Sequence, residues 1–211
     1  MTTPKEPERE LVVYDFDPRN LSPEYLQAIG LVVAASAQTE SVMQNFIGVL
    51  LGIDDMDTLA VTTYMGAPLK DQVARTLTEL KAPHVEAVDE IDDLLDAIKD
   101  AWEKRNVIVH NALVIHPETR EILSHRLKAR GSLQLELKPI AVEEIQAAAT
   151  QIYEVGMDLM RFMMASGLGP NFRTQPLREP LNRGKKARAE RRAGRDGPTA
   201  GDNDKPTVKP P

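Results

Sequence analysis

Cysteine is absent from the 211 residues. That excludes a disulfide framework and any zinc or iron–sulfur site built on thiolates. Aromatic residues are scarce, with one Trp, four Phe and four Tyr. The core must therefore come from Leu, Ile, Val, Ala and Met, which suits packed helices better than a β-sandwich. No apolar run is long enough for a membrane span. The richest stretch, Ile29 to Ile53, is broken by Ser36, Gln38, Glu40, Gln44 and Asn45. The first residues, Met1 to Pro7, are polar, so no signal peptide is expected and a cytoplasmic location follows. Neither a phosphate loop nor a dinucleotide glycine motif is present.

What the chain does have is charge, unevenly placed. The net charge is −6, but residues 170–211 carry 11 basic and 5 acidic groups, net +6, which leaves −12 for the rest. An acidic body with a basic appendage is expected. Residues 1–20 hold early prolines and read as an arm with one short extended segment at Leu11–Tyr14. Residues 21–169 read as one domain. From Pro170 onward helical spacing is lost among Pro, Gly, Arg and Lys, and a disordered basic tail is expected.

Within the domain the fold class is mainly α: a helical bundle with a short β-hairpin or meander before the last helix. Ser22-Pro23-Glu24 opens a helix that runs to Leu51 and stops at Gly52. Its expected core stripe is Leu26, Ile29, Val33, Ala37, Val42, Phe46, Val49 and Leu50. A short helix or turn covers Asp54–Tyr64. Pro68–Leu80 is helical, with Leu69, Val73, Leu77 and Leu80 inward. Val88, Ile91, Leu95, Ile98, Trp102, Arg105 and Val109 then follow unbroken helical spacing. Short strands are expected at Ala112–Ile115, Ile122–Arg126 and Ser132–Leu137, with turns at Pro117–Thr119 and Arg130-Gly131. The alternation of Leu133, Leu135 and Leu137 with polar residues marks the third as half-buried. A closing helix spans Val142–Ser166.

Chemistry concentrates in Arg105-Asn106-Val107-Ile108-Val109-His110-Asn111. Arg105 takes the place of a core residue in the stripe after Trp102, so its guanidinium needs a partner such as a phosphate or a carboxylate. Asn106 and His110 are four apart on nearly one helix face. Arg105 and His110 are five apart, about 140° around the axis. A single helix makes a loose site of them. Two copies meeting across a two-fold axis would close it.

This run resembles the R-x(4–6)-H signature of the HEPN superfamily, with the favoured polar residue, Asn106, directly after the Arg. The motif lies near the end of a long helix, before strands and a closing helix, and the resemblance covers about residues 22–168. Where relatives often carry Gly after the His, this chain has Asn111. The resemblance implies a bundle that dimerises through its motif helices and, in active members, cleaves RNA without a metal or other cofactor. Arg105, His110 and Asn106 would be the catalytic set, with Glu40 and Asn111 as orienting or substrate-binding groups. An imidazole, titrating near neutrality, suits proton transfer at the ribose 2′-OH and the leaving 5′ oxygen. The guanidinium suits the charge that builds on phosphorus. The expected function is a metal-independent endoribonuclease of defence, stress or toxin type. Its partners would be RNA, a second copy and a cognate antitoxin such as a nucleotidyltransferase-like protein, with no membrane.

Two alternatives stand beside that reading. One is an inactive HEPN module that binds a nucleotide, an RNA or a protein. The other treats Arg105 and His110 as a structural pair at a helix C-terminus. His84, His116 and His125 show no metal-ligand spacing. The acids Glu86, Asp89, Glu90, Asp92, Asp93 and Asp96 read as a solvated face. Glu40 is a candidate partner for Arg105. The run Lys185–Arg192 could hold RNA by counterion release but has no aromatic residue for stacking.

Overall fold

The structure, a computed structural model, describes residues 12–82, 85–128, 134–174 and 185–193. The chain divides into two units, residues 1–173 and residues 174–211. The first is mainly helical, with five α-helices and one three-stranded antiparallel sheet. Among the described residues no helix is long and apolar enough to cross a membrane.

The first helix, α1 (Pro23–Leu51), begins and ends where expected. Ser22 stands at the N-cap, but its hydroxyl serves the Glu24 carboxylate and holds that acid below its usual range. Gly52 adopts the left-handed conformation at φ 72°, which frees its N–H for the carbonyls of Gly48 and Val49. The expected core stripe is correct only in the second half of the helix. Leu26, Val33 and Ala37 are exposed, and Ala28, Val32, Ala35 and Ser36 are buried in their stead. The reason is compositional. From Tyr25 to Thr39 the helix carries no charge, so no polar side marks which face points outward.

After α2 (Asp55–Thr62) comes α3 (Ala67–Lys81). Of the residues expected inward, Val73 and Leu77 pack against the core, but the most buried positions lie one residue further on. Leu69 and Leu80 are exposed, while Lys70, Ala74 and Thr78 are fully buried. The next helix, α4 (Val85–His110), follows the expected stripe, burying Ile91, Leu95, Ile98 and Trp102. The closing helix, α5 (Val142–Ala165), buries Ile145, Ala148, Ile152, Val155 and Leu159 as expected. It lies close to α1. Thr39 Oγ1 donates to the Ile152 carbonyl at 2.7 Å. Gly156 faces Thr39 so tightly that a Cβ there would lie 2.5 Å from the Thr39 hydroxyl. Tyr25 donates to the Ile140 carbonyl at 2.9 Å, fixing the start of α1 beside the start of α5. Burial and the Glu143 carboxylate push that hydroxyl's pKa up.

The sheet is formed by β1 (Ala112–Ile115), β2 (Ile122–Lys128) and β3 (Gln134–Pro139), in that order. Ser132 and Leu133, expected in the third strand, and the Arg130-Gly131 turn lie outside the described residues. Leu135 is 58% exposed, as is its register partner Leu127 at 60%. The half-buried strand expected there is therefore corrected at Leu135, which no described residue covers, while Leu137 is partly buried. The arm reaches the sheet where Asp15 and Ile115 exchange backbone bonds and where Phe16 packs on His125.

The second unit holds α6 (Lys185–Ala193), a helix inside the tail expected to be disordered, while residues 175–184 and 194–211 lie outside the described residues. Its sequence, KKARAERRA, consists of strong helix formers without Gly or Pro. The missing apolar stripe that argued against a helix is overridden by local propensity.

One feature of the bundle positions the site. α3 spans only half of its neighbours' length. It meets α1 from Glu40, through the Lys70 ammonium, to Leu50, which shares a hollow with Thr78. It meets α4 through Arg75, which binds Asp92 at 3.0 Å and Asp96 at 2.7 Å. Those acids, expected to be merely solvated, hold two helices together. Beyond Glu40 in α1, and beyond Asp96 in α4, α3 has ended.

Candidate functional site

The motif lies on the last turns of α4, in the half that α3 leaves uncovered. At about 100° per residue, Glu103 and His110 lie within about 20° and 40° of the direction in which Asp96 meets Arg75. The face that carries ion pairs lower down is thus open to solvent at its C-terminal end. Asn106 and His110 are exposed, and Arg105 is half-buried.

The three side chains meet. Arg105 Nη1 donates to Asn106 Oδ1 at 3.0 Å and lies 2.8 Å from His110 Nε2. A guanidinium has only donors, so Nε2 accepts and the ring proton resides on Nδ1. The half-buried cation named from sequence is therefore satisfied by an amide and an imidazole, with no carboxylate in contact.

Beside this trio lies an open cleft of about 700 Å³, lined by Asn106 and His110 but not by Arg105. Asn106, His110 and Asn111 line it, together with Asp100, Glu103 and Lys104 of α4. Gln151 of α5 and Arg126 of β2 complete it. Gln151 accepts a bond from Lys104 Nζ. Asn111, half-buried, stands in the link between α4 and β1. Lys104, Gln151 and Arg126 were not singled out from sequence. Lys104 adjoins the motif and was legible there. Arg126 is far along the chain and reaches the cleft only because β2 folds back on β1.

Glu40 does not join the site. Its carboxylate pairs with Lys70, a lysine with no exposed surface, so the expected contact with Arg105 is corrected. The physical reason is that α3 begins beside Glu40 and delivers a buried ammonium that needs an anion.

The remaining histidines have local roles. His116 Nδ1 accepts from the backbone amides of Glu118 and Thr119. His125 packs edge-on against Phe16, with centroids 5.4 Å apart. His84 lies outside the described residues. Among the described residues no group of three His, Asp or Glu is placed to hold a metal ion.

No family model, no curated protein and no solved structure matches this chain.

Proposed function

We propose that the chain is a HEPN-like, metal-independent endoribonuclease whose cleft is completed by a second copy. The observation that carries this reading is the contact of Arg105 with both Asn106 and His110, two residues that line an open cleft. A pair serving only as helix glue would be expected to reach a carbonyl or a carboxylate of the fold. Here the guanidinium and the imidazole satisfy each other where solvent, and hence substrate, has access.

The chemistry follows from those contacts. A phosphodiester entering the cleft accepts from the Arg105 guanidinium and replaces His110 as its partner, which frees the Nε2 lone pair. Nε2 then takes the proton from a ribose 2′-OH as that oxygen forms its bond to phosphorus. The bond to the 5′ oxygen breaks, and the leaving oxygen takes a proton from the imidazolium or from a counterpart in the second copy. Arg105 neutralises the charge that develops on the non-bridging oxygens. Asn106, with its carbonyl on Arg105, has its amide N–H groups left for phosphate. The products are a 2′,3′-cyclic phosphate and a 5′-hydroxyl.

A second copy is supported by the uncovered part of α1. Leu26 and Val33, seven residues apart and so within about 20° of each other around the axis, are 45% and 48% exposed. They stand in a charge-free stretch at the same end of the bundle as the motif, since Tyr25 bonds to Ile140 and Ile140 shares an apolar hollow with Ile108. An uncharged face can meet its own copy without like-charge repulsion.

The test is cleavage of single-stranded RNA in EDTA, followed by analysis of the product ends. Cyclic phosphate and 5′-hydroxyl ends are expected from the wild type. RNA bound but left intact would favour the inactive binding module. RNA neither bound nor cut would end the proposal.

A further inference from the structure

Among the described residues the Arg126 side chain has no hydrogen-bond or ion-pair partner, yet it lines the cleft. It belongs to β2, the central strand, which is paired on both sides. In the β1–β2 register Ala112 stands opposite His125. One step further along the same register sets Arg126 opposite Asn111, the residue after His110. Side chains alternate along a strand, so Arg126 shares its face with Ser124, which is buried, while His125 on the other face packs on Phe16. The guanidinium is thus planted on a rigid strand beside the end of the motif. Its register partner on β3, Glu136, is ion-paired with Lys138 at 2.7 Å.

The other charges of the cleft are arranged unevenly. Asp100 and Glu103 stand on the α4 side toward its N-terminus, and Lys104 is held by Gln151. A polyanion leaving the Arg105–His110 centre meets repulsion toward Asp100 and Glu103 and an uncommitted cation toward the sheet.

We infer that Arg126 binds the phosphate next to the one attacked, so that the substrate is a single RNA strand running from the motif across β2. The inference rests on the ribonuclease reading above. Arg126 is a positioning residue here: it holds the strand and takes no part in proton transfer.

The experiment compares two probes, a dinucleoside monophosphate and a single-stranded oligoribonucleotide of ten bases, on full-length wild type, Arg126→Ala and Arg126→Lys. The dinucleotide has only the phosphate that is attacked; the longer strand has flanking ones. Arg126→Ala is expected to lower the preference for the oligonucleotide, in kcat/KM, about tenfold, chiefly through KM. The slope of log kcat/KM against log salt on the oligonucleotide should shrink by about 0.7, one phosphate contact on a single strand. Arg126→Lys should restore most of that slope. Unchanged preference and slope in Arg126→Ala would overturn the inference and leave the ribonuclease reading intact. An equal loss on both probes would overturn it too, moving Arg126 to the attacked phosphate. Failure of the wild type to cut either probe would remove the ribonuclease reading and the inference together.

Discussion

The two halves of the bundle spend their polar side chains differently. Where α3 covers α1 and α4, charges are tied across helices: Lys70 to Glu40, and Arg75 to Asp92 and Asp96. Where α3 is absent, the polar groups form no bridge between helices of comparable charge. Arg105 bonds Asn106 and His110, the Arg126 side chain bonds none of the described residues, and Leu26, Leu31 and Val33 are each partly open to solvent. Both halves share one apolar core running through Phe46, Ile98 and Ile152. The core supplies cohesion throughout, so polar groups can be released for another purpose at one end. A short helix in the middle of the chain therefore decides which end of the molecule is available.

That contrast can be broken from either side. The largest effect is expected at the open half. Val33→Glu places an unpaired charge in the proposed seam and should weaken self-association at least about 100-fold, with the melting temperature at low protein concentration little changed. Sedimentation at several concentrations checks this. Association equal to wild type would move the seam elsewhere. At the covered half, Glu40→Ala leaves the Lys70 ammonium buried without its anion. A loss of about 2 kcal/mol is expected, which lowers the melting temperature by roughly 4–8 °C. The smallest effect is expected when the cation itself is removed. Lys70→Met should sit within about 1 kcal/mol of wild type, since a buried pair is often replaceable by an apolar side chain. Calorimetry on the two variants separates a pair that stabilises from a pair that merely satisfies itself. Equal losses would contradict the second view.

Much of this was legible in the sequence, and the failures have physical causes. The α4 stripe from Ile91 to Val109 emerges as expected because charged residues occupy its other faces. The motif could be found because Arg105, Asn106 and His110 are close in sequence and one helix sets their spacing. The first half of α1 was misread because a helix without charge gives periodicity nothing to contrast. The inward face of α3 was only half legible: Val73 and Leu77 pack against the core, but its fully buried residues are Lys70, Ala74 and Thr78, small or polar, while Leu69 and Leu80 face outward. Glu40 was assigned to the wrong cation, since nothing in the chain reveals that Lys70 is buried beside it. Arg126 was overlooked because a hairpin register, not a helical repeat, carries it to Asn111.

The central claim is that the Arg105–His110 contact is displayed for chemistry and does not hold the fold. Measuring the melting temperature of His110→Ala together with its RNA cleavage tests that most directly. The account predicts unfolding within about 2 °C of wild type, because the side chain is exposed, and a loss of cleavage of at least 100-fold. Cleavage equal to wild type, at any melting temperature, would contradict it.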